Sequence, residues 1–123
     1  MPVNRISKEA IIKMRRGQVN VPDQTTCVIK FYSNGCHLCH ALSSYYKDIS
    51  DSYDDVMFFA YNVDDDEEIS DMLNLNGVPS ITMFKVKQGK KAVIRNLADP
   101  DNPNEETWFT SKQIKNFIDK ELK

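Results

Sequence analysis

Thr25-Thr26-Cys27-Val28-Ile29-Lys30-Phe31-Tyr32-Ser33-Asn34-Gly35-Cys36-His37-Leu38-Cys39-His40 is the stretch on which the reading of this chain turns. Its first eight residues are rich in β-branched and aromatic side chains, a composition that predicts a strand over Thr25–Tyr32. Ser33-Asn34-Gly35 breaks that strand. From Cys36 onward, Leu38, Ala41, Leu42, Tyr45, Tyr46 and Ile49 recur at helical spacing and predict a long helix from about Cys36 to Tyr53. Two cysteines separated by two residues therefore open a helix directly after a strand.

Downstream, Val56 to Val63 is a nearly continuous apolar run, as expected of a parallel strand covered on both faces, so strand, helix and strand make a βαβ unit. A second helix is predicted from about Asp66 to Leu73 with Ile69, Met72 and Leu73 inward, ended by Asn76-Gly77-Val78-Pro79. Ile81–Val86 and Lys91–Leu97 flank Gln88-Gly89 as the arms of a hairpin. Thr110 or Ser111 caps a last helix with Ile114, Phe117, Ile118 and Leu122 on one side. The Pro, Asn and Asp content of Asp99–Glu106 marks an exposed surface insertion before that helix. Upstream, Ser7 caps a helix over Ser7–Arg16 that turns Ala10, Ile11 and Met14 inward and stops at Gly17, and Gln18–Gln24 reads as a loop.

At 123 residues with 41% apolar content the chain suits one domain spanning 1–123, able to bury a core without staples. The net charge is −2 and Lys and Arg are scattered along the sequence, which argues against nucleic acid as a partner. The polar start of the chain and the lack of a long apolar run argue against export and membrane insertion, so a cytoplasmic protein is expected. Three cysteines do not make the disulfide framework of a secreted mini-protein. The Cys36/Cys39 spacing points instead to redox chemistry or a metal knuckle.

A thiol attacks a disulfide as its thiolate, and the free N–H groups of a helix N-terminus favour that form. Cys36 holds that position and is the more exposed of the two, so it is the expected nucleophile. Cys39, one turn inward, is the expected resolving thiol.

Helix, strand, long helix, strand, helix, hairpin and helix, with Cys36-His37-Leu38-Cys39 opening the long helix and Gly77-Val78-Pro79 opening the hairpin, resembles the thioredoxin family. Phe31, Asn62-Val63-Asp64 and the 40-residue separation from Cys39 to Pro79 stand where that family has such features. The resemblance implies an α/β thioredoxin fold, a central mixed β-sheet flanked by helices on both faces. It also implies a thiol–disulfide oxidoreductase needing no cofactor, most simply a general disulfide reductase. Disulfide-containing proteins would be its substrates, thioredoxin reductase or another dithiol donor its electron source, and a monomer its form. Pro79 would be a cis-proline, and Pro79, Val78 and Gly35 would line the substrate groove. This chain departs from the family in having His37-Leu38 between the cysteines and Gly35 before them. An imidazolium at His37 would favour the Cys36 thiolate and a more oxidising couple. A buried acid six residues before the first cysteine is replaced by Lys30, and its usual lysine partner by Ala60. Lys30 either assists Cys39 or snorkels to solvent.

Other chemistries compete for the same residues. Cys36-His37-Leu38-Cys39-His40 matches the attachment sequence of a c-type haem, with His40 and Met57, Met72 or Met83 as axial ligands, but a βαβ pattern is not a haem wrap. Zinc would find two cysteines and two histidines in one short turn, too compact a segment to converge four ligands, so no metal site is expected. Cys27 suits a small buried hydrophobe. Asp64-Asp65-Asp66-Glu67-Glu68 lacks a calcium-loop pattern and complements a helix dipole, and Trp108 is expected to pack under the inserted loop. A binding or accessory role on the same scaffold is the functional alternative, because the Asp99–Glu106 loop falls near the end of the fold that carries the cysteines.

Overall fold

In chain order the elements are strand β1 (Val3–Arg5), helix α1 (Lys8–Arg16), β2 (Thr25–Tyr32), α2 (His37–Asp51), β3 (Val56–Asn62), α3 (Glu68–Met72), β4 (Ser80–Val86), β5 (Val93–Asn96) and α4 (Ser111–Leu122). The structure is a computed structural model that describes residues 3–21 and 23–123; Met1, Pro2 and Pro22, which fall in the N-terminal segment and the loop discussed above, lie outside the described residues. The strands form one mixed sheet in the order β1-β3-β2-β4-β5. β1, β3 and β2 run parallel, while β4 is antiparallel to β2 and β5 to β4. The loops after β2 and β3, the turn before β4 and the segment after β5 consequently gather at one end of the sheet.

Side chains alternate across β2, and the two faces bury separate cores. Val28 joins Leu42, Tyr46 and Ile49 of α2, and Ile114 and Ile118 of α4, on one face. Cys27, Ile29 and Phe31 join Ile11 and Met14 of α1 and Ile69 of α3 on the other. Helices thus flank the sheet on both sides. Burial of these side chains supplies the main driving force, each fully buried Leu, Ile or Phe contributing about 1.5–3 kcal/mol.

Local chemistry sets the helix ends. Ser7 Oγ accepts the Ala10 amide at 3.1 Å. Thr110 forms a capping box with Gln113 at the start of α4. Gly17 ends α1 in the left-handed region at φ 75°, and a Cβ there would lie 2.0 Å from the Lys90 carbonyl oxygen. Only glycine lets the β4–β5 turn dock so closely, with the Gly89 amide donating to the Gly17 carbonyl at 2.9 Å.

Several expectations need correction. β1 was not predicted: three residues whose stabilisation is backbone pairing, continued by the Ile6 amide to the Ala60 carbonyl at 3.1 Å, leave no side-chain pattern. α2 stops at Asp51, and Tyr53 instead crosses to α4, its hydroxyl donating to Asp119 at 2.6 Å. Ala41 lies on the exposed side of α2. β3 is covered less fully than its apolar run implied, Met57 being 39% exposed, since on that side it is shielded by α1 and the five-residue α3. β5 starts late because the Ala92 amide bonds the Arg15 carbonyl, at 3.0 Å, instead of β4. Leu122, in the last turn of α4, is 37% exposed and not packed inward. Among the described residues, no helix is long and apolar enough to cross a membrane.

Candidate active site

The β2–α2 junction carries the cysteines. Cys36 is the N-cap of α2, and its Sγ accepts the Cys39 amide at 3.1 Å. Cys36 and Cys39 are joined as a disulfide with Cα atoms 5.3 Å apart. Cys39 is fully buried and Cys36 half-buried, so the first cysteine is the more accessible of the two.

A polar network holds the connecting loop in place. The Asn34 amide donates to Asp64 at 2.8 Å, and Asn62 Nδ2 donates to Asn34 Oδ1 at 2.9 Å. His40 Nε2 lies 3.0 Å from the Asn34 carbonyl and its ring meets Tyr32 edge-on. His40 is therefore an anchor for the loop that carries the cysteines. Asn34, Asn62 and Asp64 were not read as site residues at all. The acidic run is also divided by use: Asp64 braces the cysteine loop, while Asp66 and Glu68 bind Lys8 Nζ at 2.6 and 2.7 Å. The bond from Lys8 holds the Asp66 carboxyl below its ordinary range.

His37 is exposed, and its side chain makes no hydrogen bond or ion pair among the described residues. Gly35 is exposed, with nothing within 4 Å of where a Cβ would stand. The Val78–Pro79 peptide is cis. Pairing of Phe31 with Ser80 sets this turn beside the C-terminal end of β2. Pro79 is buried and Val78 half-buried, and with Leu38, Gly77, Asp99 and Trp108 they line a shallow pocket of about 180 Å³.

Lys30 lies on the α2 side of the sheet, in register with Ala60, and is 6% exposed. It does not snorkel to solvent. Its Nζ donates to Ser43 Oγ at 2.7 Å and lies 5.5 and 5.4 Å from the Tyr32 and Tyr46 ring centroids. Ser43 Oγ in turn donates to the Cys39 carbonyl at 3.1 Å, linking the lysine to the backbone of the second cysteine. Burial pulls the Lys30 pKa below the ordinary amine value. The same residues open onto a cleft of about 630 Å³ bounded also by Val3, His40 and Lys47.

Cys27 is buried, and burial pushes its thiol up to about 11. Among the described residues no group of three or more His, Cys, Asp or Glu side chains is placed to hold a metal ion. Met83, one of the methionines considered for haem, is sequestered in the core under α2 and α4.

An α/β fold that presents a disulfide pair at the first turn of a helix, at the same end of the sheet as a cis-proline turn, defines a class of protein built for thiol–disulfide exchange. The thioredoxin family model matches residues 13–102, and the chain belongs to that family. Chloroplastic thioredoxin z is 21% identical, with 98% of this chain and 94% of that one covered at a TM-score of 0.66. The Malassezia sympodialis thioredoxin Mala s 13 is 19% identical, with 96% and 89% covered and a TM-score of 0.65. The Trx4 domain of ERdj5 is 12% identical, with 99% and 96% covered and a TM-score of 0.72. At these identities the likeness is one of fold.

Proposed function

We propose that this protein is a general disulfide reductase for protein substrates, with Cys36 as nucleophile and Cys39 as resolving thiol. The observation that carries the reading is the placement of Cys36 Sγ at the N-cap of α2, half-exposed, with Cys39 buried one turn behind it. In the dithiol state the Cys36 thiolate attacks one sulfur of a substrate disulfide. The Cys36–substrate bond forms, the substrate bond breaks, and the departing sulfur takes up a proton. Cys39 then loses its proton and attacks Cys36 Sγ, releasing the second substrate thiol and leaving Cys36–Cys39 oxidised. Two electrons have passed to the substrate. Thioredoxin reductase or another dithiol donor restores the pair. The protein acts as a cytoplasmic monomer, with Gly35, Val78 and Pro79 bordering the substrate and His37, Leu38 and Lys30 modulating the cysteines.

The test is insulin reduction driven by dithiothreitol, with Cys36→Ser as control. Cys36-dependent turnover is expected. Equal turbidity rates for both proteins would overturn the reductase reading in favour of an accessory binding role, for which the Asp99–Glu106 loop supplies the surface.

A further inference from the structure

The segment between β5 and α4 returns to the cysteine end of the molecule and places two side chains beside the substrate turn. Trp108 is held with φ +67°, a conformation uncommon for any residue with a Cβ, by paired backbone bonds with Asn104 at 3.0 and 2.9 Å. Asn104 Oδ1 also accepts the Glu106 and Thr107 amides, so the loop is built around this residue. The Trp108 indole N–H donates to Asp99 Oδ1 at 3.2 Å, and Asn76 Nδ2 reaches Asp99 Oδ2 at 3.5 Å. Ion pairs among the described residues are made by Lys8 and Arg95, so the exposed Asp99 carboxylate is oriented by neutral donors and its charge is not cancelled.

Resting on the reductase reading, we propose that Asp99 and Trp108 form a specificity subsite for a lysine or arginine side chain adjacent to the reactive cysteine of the substrate. Leu38, Val78 and Pro79 give the pocket an apolar floor for the aliphatic stem. The indole face attracts the cationic head, and the carboxylate receives it. At about 180 Å³ the pocket is below the size of a typical small-molecule site and suits one side chain. From Asn96 to Ser111 the chain carries Asp99, Asp101, Glu105 and Glu106 and no Lys or Arg, so the whole loop draws cationic substrates toward the cysteines.

Two disulfide peptides that differ in one residue beside a cysteine, Lys or Gln, test this. Wild type is expected to reduce the Lys peptide with a kcat/KM about five-fold higher at low salt, the scale of one exposed ion pair plus one cation–π contact. High salt narrows the ratio. Asp99→Asn brings it to about unity, and Asp99→Lys turns the preference toward a Glu peptide. Trp108 is the only tryptophan, so its fluorescence, titrated with a cysteine-free Lys peptide, reads occupancy without turnover. Turnover with a ratio of one in wild type, or a ratio untouched by Asp99→Asn, overturns the subsite and leaves the reductase standing. An Asp99-dependent fluorescence response without Cys36-dependent turnover overturns the reductase and retains the subsite. Absence of both overturns both.

Discussion

Lys30→Met removes the buried charge while keeping an unbranched stem of similar length. In the wild type, the charge-assisted bond to Ser43 at 2.7 Å returns about 1.5–3 kcal/mol. The Tyr32 and Tyr46 rings return about 0.5–1 kcal/mol each. Stripping an ammonium of water costs several kcal/mol, and the lowered Lys30 pKa shows which side wins. Ser43 keeps its bond to the Cys39 carbonyl, so the substitution leaves that hydroxyl satisfied. Lys30→Met is expected to stabilise the oxidised protein by about 1 kcal/mol at pH 7, moving the urea midpoint up by about 0.5 M. The pH dependence has a definite sign. The folded pKa lies below the unfolded value of 10.5, so the destabilisation is fully present below the folded pKa. Between the two values the unfolded chain binds more protons, and wild-type stability rises with pH. The variant lacks that rise, and the two proteins converge in alkali. Urea titrations at pH 7 and pH 10 check both points. A variant less stable than wild type at pH 7, or one whose advantage persists unchanged at pH 10, refutes the reasoning. Resolution of a trapped mixed disulfide by Cys39 is expected to slow in the same variant, and an unchanged rate rules out assistance from Lys30.

Cys27, with its thiol pushed up to about 11, has roughly one thiolate in a thousand molecules at pH 8. In the reduced protein, iodoacetamide should modify Cys36 quickly and Cys27 only after unfolding, as read by peptide mass mapping; comparable labelling of both in the folded state would contradict the burial. Gly17→Ala places a Cβ in the left-handed region and 2.0 Å from the Lys90 carbonyl oxygen, so a loss of about 3 kcal/mol is expected in denaturant titration. A loss below about 1 kcal/mol would mean that the β4–β5 turn lifts away without cost.

Elements that bury a periodic apolar face were readable from the sequence. Thr25–Tyr32 is a strand with the bounds its composition predicts, and Ser7 and Thr110 cap the helices they were expected to cap. Features made by backbone pairing or by polar contacts between distant segments were not. β1 depends on a neighbour 55 residues away, Val3 opposite Phe58. The Asn34–Asp64 contact spans 30 positions without any local pattern. Composition assigned Lys30 to a strand without telling whether its amine reached solvent; the Ser43 hydroxyl on α2 decides that. Basic residues scattered along the chain also regroup in space, where Arg15 and Arg16 meet Lys91 at the junction of α1 with the β4–β5 turn.

The sulfur that caps α2 is also the sulfur that the proposed exchange chemistry uses. A thiolate is a stronger acceptor for the Cys39 amide than a neutral thiol, and a sulfur bonded to a substrate is a poorer one. Each step of a redox cycle thus tightens or loosens the first turn of the helix. Amide hydrogen exchange at Cys39 becomes an internal gauge of which covalent state Cys36 occupies, readable without a chromophore or a label. The architecture of the helix end and the progress of the reaction share one hydrogen bond.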